Sequence, residues 1–171
     1  MKALFVTSEA IPYGKTGGLG DVSAAIPASL AELGHDVRIV LPKYGSIDTQ
    51  KYNIRQTSLS IDVSLGPIGT STIKIWRSTL PETDVEVYFL ANELFDREGF
   101  YQENGKDYPD NDVRFILFSK GAIALCGALS WKPDIIHLND WQTGLVPVFL
   151  QEKIGRTVFP EQRPATVFTI H

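Results

Sequence analysis

The sequence predicts an α/β fold: a doubly wound, mostly parallel sheet that carries an antiparallel hairpin. Three observations point there. Residues 3–8, Ala3-Leu4-Phe5-Val6-Thr7-Ser8, open as an apolar run without alternation, the mark of a strand buried on both faces. A glycine-rich turn, a helical pattern and a second apolar strand, Val37 to Leu41, follow; this is a strand–loop–helix–strand unit whose crossover should be right-handed. By contrast, Leu59, Ile61, Val63 and Leu65, then Ile73 and Ile75, alternate with other residues as half-buried antiparallel strands do. Together they describe a Rossmann-like domain.

The elements follow in order. Residues 9–19 form a loop, because Pro12 and three glycines oppose regular structure. Residues 21–33 read as an amphipathic helix with Val22, Ile26, Leu30 and Leu33 on one face and Gly34 as its C-cap. Pro27 lies inside it, so a kink or a late start is expected. His35, beside the cap, reads as structural. The second strand stops at Pro42, and residues 43–56 are polar and rich in turn formers. Strands follow at 57–65, 71–79 and 85–90, with Gly66-Pro67-Ile68-Gly69 joining the first two. Residues 92–108 read as an exposed functional loop, since Asn92, Glu93, Asp96, Arg97, Glu98, Tyr101 and Tyr108 crowd there with little apolar content. Asp110 to Leu129 is the longest helical pattern. Ile135 to Leu138 is a short buried strand, Trp141 to Lys153 a helix headed by Asp140, and Val167 to Ile170 the last strand.

Composition narrows the function classes. A chain of 171 residues suits one domain. A net charge of −4 with no basic cluster argues against a nucleic-acid surface. The single cysteine, Cys126, lies in an apolar segment and reads as a small buried hydrophobe; no disulfide can form within the chain, which fits a reducing compartment. No apolar run reaches membrane-spanning length. Met1-Lys2 leads straight into the first strand, so no signal or transit peptide is expected. No His, Cys and carboxylate spacing suggests a metal, and no Gly-x-Ser-x-Gly elbow suggests a hydrolase.

The chemistry concentrates in Lys15-Thr16-Gly17-Gly18-Leu19-Gly20-Asp21-Val22. A glycine-rich turn between strand and helix lets backbone N–H groups approach a ligand, and the helix N-terminus behind it favours phosphate. Two phosphate motifs fail here. Gly14-Lys15-Thr16 has the tail of a P-loop, but Glu9 stands where its leading glycine belongs, and an anion suits no phosphate site. Gly18-Leu19-Gly20-Asp21-Val22-Ser23 imitates a dinucleotide fingerprint, yet the second strand ends in Val40-Leu41-Pro42-Lys43 without the ribose-binding acid.

A family resemblance fits better. Ser8-Glu9-Ala10-Ile11-Pro12 and the lysine–glycine–glycine turn resemble the amino-terminal signature of bacterial glycogen synthases and plant starch synthases. Leu41-Pro42-Lys43-Tyr44, Tyr108-Pro109-Asp110-Asn111, His137-Leu138-Asn139-Asp140-Trp141 and Phe168-Thr169-Ile170-His171 continue it in the expected order. The resemblance implies residues 1–171 are the amino-terminal half, cut short, of a two-domain glycosyltransferase of the GT-B type, with the second domain absent. It implies transfer of glucose from ADP-glucose to the non-reducing end of an α-1,4-glucan with retained configuration, and no cofactor or metal. Its partners would be that donor, the glucan and the missing carboxy-terminal domain, with neither nucleic acid nor membrane. The setting would be cytoplasmic in a bacterium, or the plastid for a processed plant protein. A related sugar-nucleotide transferase, or a noncatalytic carbohydrate- or nucleotide-binding domain, remains as an alternative.

The candidate residues follow from that likeness. Lys15, Gly17 and Gly18 would bind the donor phosphates. Asp21 reads equally as a first-turn helix acid and as a catalytic group near the transferred sugar. His137 and Asn139 end a parallel strand at its carboxyl side, where α/β folds keep ligands, and count as catalytic candidates; they are expected on opposite faces, with only one meeting the cleft. Many bacterial glycogen synthases carry a second histidine where Asn139 stands, so no role requiring imidazole is assigned there. Tyr108, Asn111, Asp140, Gln142 and His171 are candidates for acceptor or sugar contact. Asp110 or Asn111 also reads as a simple N-cap, and Asp140 as a helix cap.

Overall fold

The computed structural model describes residues 1–171. The chain runs β1 (Lys2–Val6), α1 (Gly18–Glu32), β2 (Asp36–Pro42), β3 (Arg55–Ser64), β4 (Thr70–Thr79), β5 (Glu86–Ala91), β6 (Gln102–Glu103), β7 (Lys106–Asp107), α2 (Asn111–Ala128), β8 (Ile135–Asn139), α3 (Val146–Phe149), α4 (Lys153–Val158) and β9 (Ala165–Thr169). Seven strands form one sheet in the order β3-β4-β5-β2-β1-β8-β9, and β6 and β7 make a separate small hairpin. The run β5-β2-β1-β8-β9 is parallel, while β3 and β4 extend it as an antiparallel arm. This is the predicted doubly wound architecture with its hairpin. The β1–β2 crossover runs one way along the sheet and the β5–β8 crossover the other, so right-handed connections place α1 and α2 on opposite faces.

The burial of β1, β2 and β5 on both faces explains their unbroken apolar runs: Leu4, Val6, Ile39, Val40, Val87 and Phe89 are all essentially inaccessible. On the arm the alternation holds, with Ile61, Val63, Ile73 and Ile75 turned inward. Gly121 of α2 lies so close to Ile73 and Leu90 that a Cβ there would collide with both, which lets α2 seat directly on the sheet.

Four elements differ from expectation. Helix α1 starts at Gly18, not Asp21, and buries Leu19, Gly20, Ser23, Ala24 and Pro27, while Ile26 and Leu33 stay exposed. Much of its packing face is small, Gly20, Ser23 and Ala24, and such residues approach the sheet closely but carry little apolar signal. Pro27 is buried in the helix without ending it. The helix expected over Trp141 to Lys153 is broken into a 3₁₀ turn at Trp141–Thr143, then α3, then α4 beginning at Lys153. Pro147 has no N–H to donate, so it fits only the start of α3. Residues 92–108 are anchored rather than free: Phe95 is fully buried, Phe100 stacks on Tyr44 at 4.2 Å, and Tyr101 packs against Phe115. Residues 43–56 likewise hide Tyr44, Ile47 and Ile54 in the core. No helix is long and apolar enough to cross a membrane.

Candidate functional site

The carboxyl ends of β1 and β8, neighbours at the middle of the parallel run, bring the two halves of the site together. At the first end, α1 begins behind an extended Gly17 (φ −154°, ψ −159°) with no side-chain cap. Its first-turn N–H groups therefore have no intrahelical partner and no internal substitute. Glu9 is 3 % exposed, and its carboxylate accepts from the Thr16 amide and hydroxyl, both at 2.6 Å, and from the Tyr101 hydroxyl at 2.7 Å. The Gly17 amide donates to it over a longer 3.4 Å. Outside this knot, the Lys15 ammonium donates to both Asp21 oxygens at 2.9 Å, with each side chain about half exposed. These two candidates thus meet each other at the mouth of the turn.

At the second end a polar row runs along one face of the sheet. The His137 ring lies against Phe5 with centroids 4.5 Å apart, and its Nε2 is 2.8 Å from Thr169 Oγ1. Asn139 is 1 % exposed; its Nδ2 donates to the Val6 carbonyl at 3.2 Å, and its Oδ1 is 3.1 Å from His171 Nε2. The expectation of opposite faces for His137 and Asn139 is wrong, because residues two apart in a strand share a face. Burial holds the His137 pKa below its ordinary value, and the neighbouring His171 adds to this. Asp140 adopts φ 59°, ψ 178°, a conformation rare for any residue but glycine, and its Oδ1 accepts the His171 N–H at 2.8 Å. Its side chain caps no helix N-terminus, so the cap reading fails.

Between the two ends lies a cleft of about 520 Å³. It gathers Gly17 and Gly18 from the turn with Asp140, Gln142 and His171 from the other end. Lys15 and Asp21 flank the turn from outside, and His137 and Asn139 lie within the polar row beneath His171. Gln142 is 4 % exposed, yet its Oε1 has no hydrogen-bond partner. Tyr108 and Asn111 do not line the cleft. Asn111 donates to the Tyr101 carbonyl at 2.8 Å and accepts from Arg114 at 2.6 Å, while Tyr108 lies under the guanidinium groups of Arg97 and Arg114. Arg97 also forms a bidentate pair with Asp110, whose carboxyl it holds below the usual range. This cluster holds Tyr101 in place from behind.

Glu9, Tyr101 and Trp141 also line the cleft; the sequence points to Tyr101 only as one residue of the functional loop 92–108 and assigns Glu9 and Trp141 no place in the site. Trp141 is 58 % exposed and meets Phe115 edge-on at 5.0 Å. An acid three residues past a buried strand, where a phosphate motif would place glycine, was the available signal for Glu9. Two clefts of about 570 Å³ lie on the antiparallel arm instead, one beside Trp76 and Lys43, the other beside Tyr13 and Tyr52. Neither includes a helix N-terminus or the end of β1 or β8, so size alone does not select the site. No group of three or more His, Cys, Asp or Glu side chains is arranged to hold a metal ion.

A family model described as the starch synthase catalytic domain matches residues 2–171. The chain belongs to that family. The glycogen synthase of Geotalea daltonii is 44 % identical over 172 residues, covering all of this chain and 35 % of that protein. Glycogen synthase 1 of Geobacter metallireducens is 37 % identical, again over the whole chain and 34 % of its own length. Among solved structures, the catalytic domain of starch synthase IV from Arabidopsis thaliana, bound to ADP and acarbose, superposes with a TM-score of 0.84 at 30 % identity. It matches 99 % of this chain and 33 % of that one. The chain therefore spans about a third of the length of its starch and glycogen synthase relatives.

Proposed function

We propose that this chain forms part of the amino-terminal half of a retaining glycosyltransferase that moves glucose from ADP-glucose to the non-reducing end of an α-1,4-glucan. The observation that carries the reading is the cleft itself: an uncapped helix start, with Lys15 beside it, faces the unpartnered Gln142 and the Asp140–His171 edge. Such a transfer builds negative charge on the departing diphosphate. The Gly18–Gly20 amides and Lys15 would stabilise that charge without a metal or cofactor. For Lys15 to do so it must leave Asp21, which an exposed pair permits at small cost. Asp21 would then lie free beside the transferred sugar. Gln142 would accept from a sugar hydroxyl, and Trp141 and Tyr101 would offer aromatic faces to the glucan. Asn139, locked between Val6 and His171, would fix His171 rather than touch substrate. Tyr108 and Asn111 would act only through Tyr101. The length of the relatives supports a second half supplied by the rest of the protein, without which little donor binding is expected. The bacterial sources of the two glycogen synthases support a cytoplasmic setting over a plastid one.

The test follows ADP release from ADP-glucose with glycogen as acceptor. The intact protein should turn over on the order of 10 s⁻¹, and the 171-residue chain alone should not. Absence of ADP release by the intact protein, or a clear preference for a different nucleotide sugar, would overturn the reading.

A further inference from the structure

We infer that Glu9 is the positioning residue of the donor turn: its carboxylate fills the turn's first amide nest, leaving a ligand phosphate to the Gly18–Gly20 amides and Lys15. This rests on the reading of the turn as the donor site. A buried carboxylate persists only where donors surround it, and Glu9 has four: two amides, the Thr16 hydroxyl and the Tyr101 hydroxyl. The Thr16 and Gly17 amides are thus already satisfied by an anion of the chain itself. The residue that argued against a P-loop takes part of the place a phosphate would occupy in one.

The same carboxylate joins elements far apart in sequence. The Tyr101 hydroxyl donates to Glu9 at 2.7 Å and accepts from Ser8 Oγ at 2.7 Å, so the loop carrying Tyr101 and the segment leading out of β1 share one anchor. The opposite end of Tyr101 is held through its carbonyl by Asn111, itself bonded to the fully buried Arg114. Gly14 presses its backbone against the Phe100 ring, so the turn and that loop also meet by packing. A turn fixed on two sides presents its remaining amides in one geometry, whereas Lys15, outside the knot, keeps its freedom.

The experiment uses the intact protein with Glu9→Gln, Tyr101→Phe and the double variant. Glutamine keeps the size and one carbonyl acceptor while giving up the charge, so the fold should survive. Glu9→Gln should lower kcat/KM for ADP-glucose about tenfold and Tyr101→Phe about threefold, with the KM for glucan changed less than about twofold. The double variant should be no worse than Glu9→Gln, because both cut one link. Amide exchange in residues 14–21 should quicken about tenfold in Glu9→Gln, a readout independent of turnover. Unchanged exchange there, or donor and glucan parameters falling in equal proportion, would overturn the inference. A wild-type protein inert toward ADP-glucose would sink the functional reading, while quickened exchange would still support the anchor.

Discussion

The two rims of the cleft are held by opposite means. On the β8–β9 side the polar groups other than Gln142 Oε1 are tied down: Asn139 to Val6 and His171, His137 to Thr169, Asp140 to the His171 amide. On the turn side the outermost pair, Lys15 and Asp21, is half exposed and holds only itself. An exposed ion pair contributes about 0–1 kcal/mol, whereas orphaning a buried polar group costs about 1–3 kcal/mol. One rim is therefore scaffold first, and the other is poised to exchange its partner for a ligand. Variants should separate accordingly, with stability lost on the first rim and function lost on the second.

The largest stability effect is expected at Asn139. Asn139→Leu leaves the Val6 carbonyl and the His171 ring without their partner, and should cost about 2 kcal/mol in denaturant unfolding. No measurable loss would erase the contrast between the rims. Gly20→Ala comes next. The added Cβ would lie 2.5 Å from Lys15 Cβ, so the turn must shift; a loss of about 1 kcal/mol together with weakened donor use is expected.

A gentler effect concerns pH. His137 has a folded pKa below its unfolded value of 6.5, so the unfolded chain binds the proton more readily. The stability this provides is fully present above about 6.5 and is lost as pH falls from there through the lower folded value. Replacing His137 by Gln should flatten the stability–pH curve in that window, and an unaltered slope would show that the ring is not the source. The smallest stability change belongs to Gly18→Ala. Nothing lies within 4 Å of a Cβ there and the residue has no left-handed backbone, so thermal unfolding should move by less than about 0.5 kcal/mol. If donor kcat/KM nevertheless falls, a ligand and not the fold requires that glycine; if it holds, the turn is only a connector.

Much of this was legible in the sequence, and the failures have physical causes. The strand–turn–helix opening declares itself because glycine, lysine and apolar runs act locally. The face of α1 did not, because Gly20, Ser23 and Ala24 pack by smallness while Ile26 and Leu33 attract the eye and stay in solvent. Glu9 stands out in the sequence as an obstacle to one motif and a member of another, but its role stays hidden, since its partner Tyr101 arrives from 92 residues away. Tyr108 and Asn111 sit in a recognisable motif, yet their contacts face the arginine cluster and not the cleft. The loop at 92–108 looked free because its polar residues outnumber the few aromatics that anchor it.

The central claim is that the end of β1, not the antiparallel arm, receives the donor. Comparing Lys15→Ala with Lys43→Ala in the intact protein tests it most directly, since Lys43 borders the larger cleft beside Trp76. Steady-state kinetics on ADP-glucose should show Lys15→Ala losing about 10- to 100-fold in kcat/KM with unfolding unchanged, and Lys43→Ala within about twofold of wild type. Unchanged donor kinetics in Lys15→Ala, or a greater loss in Lys43→Ala, would contradict it.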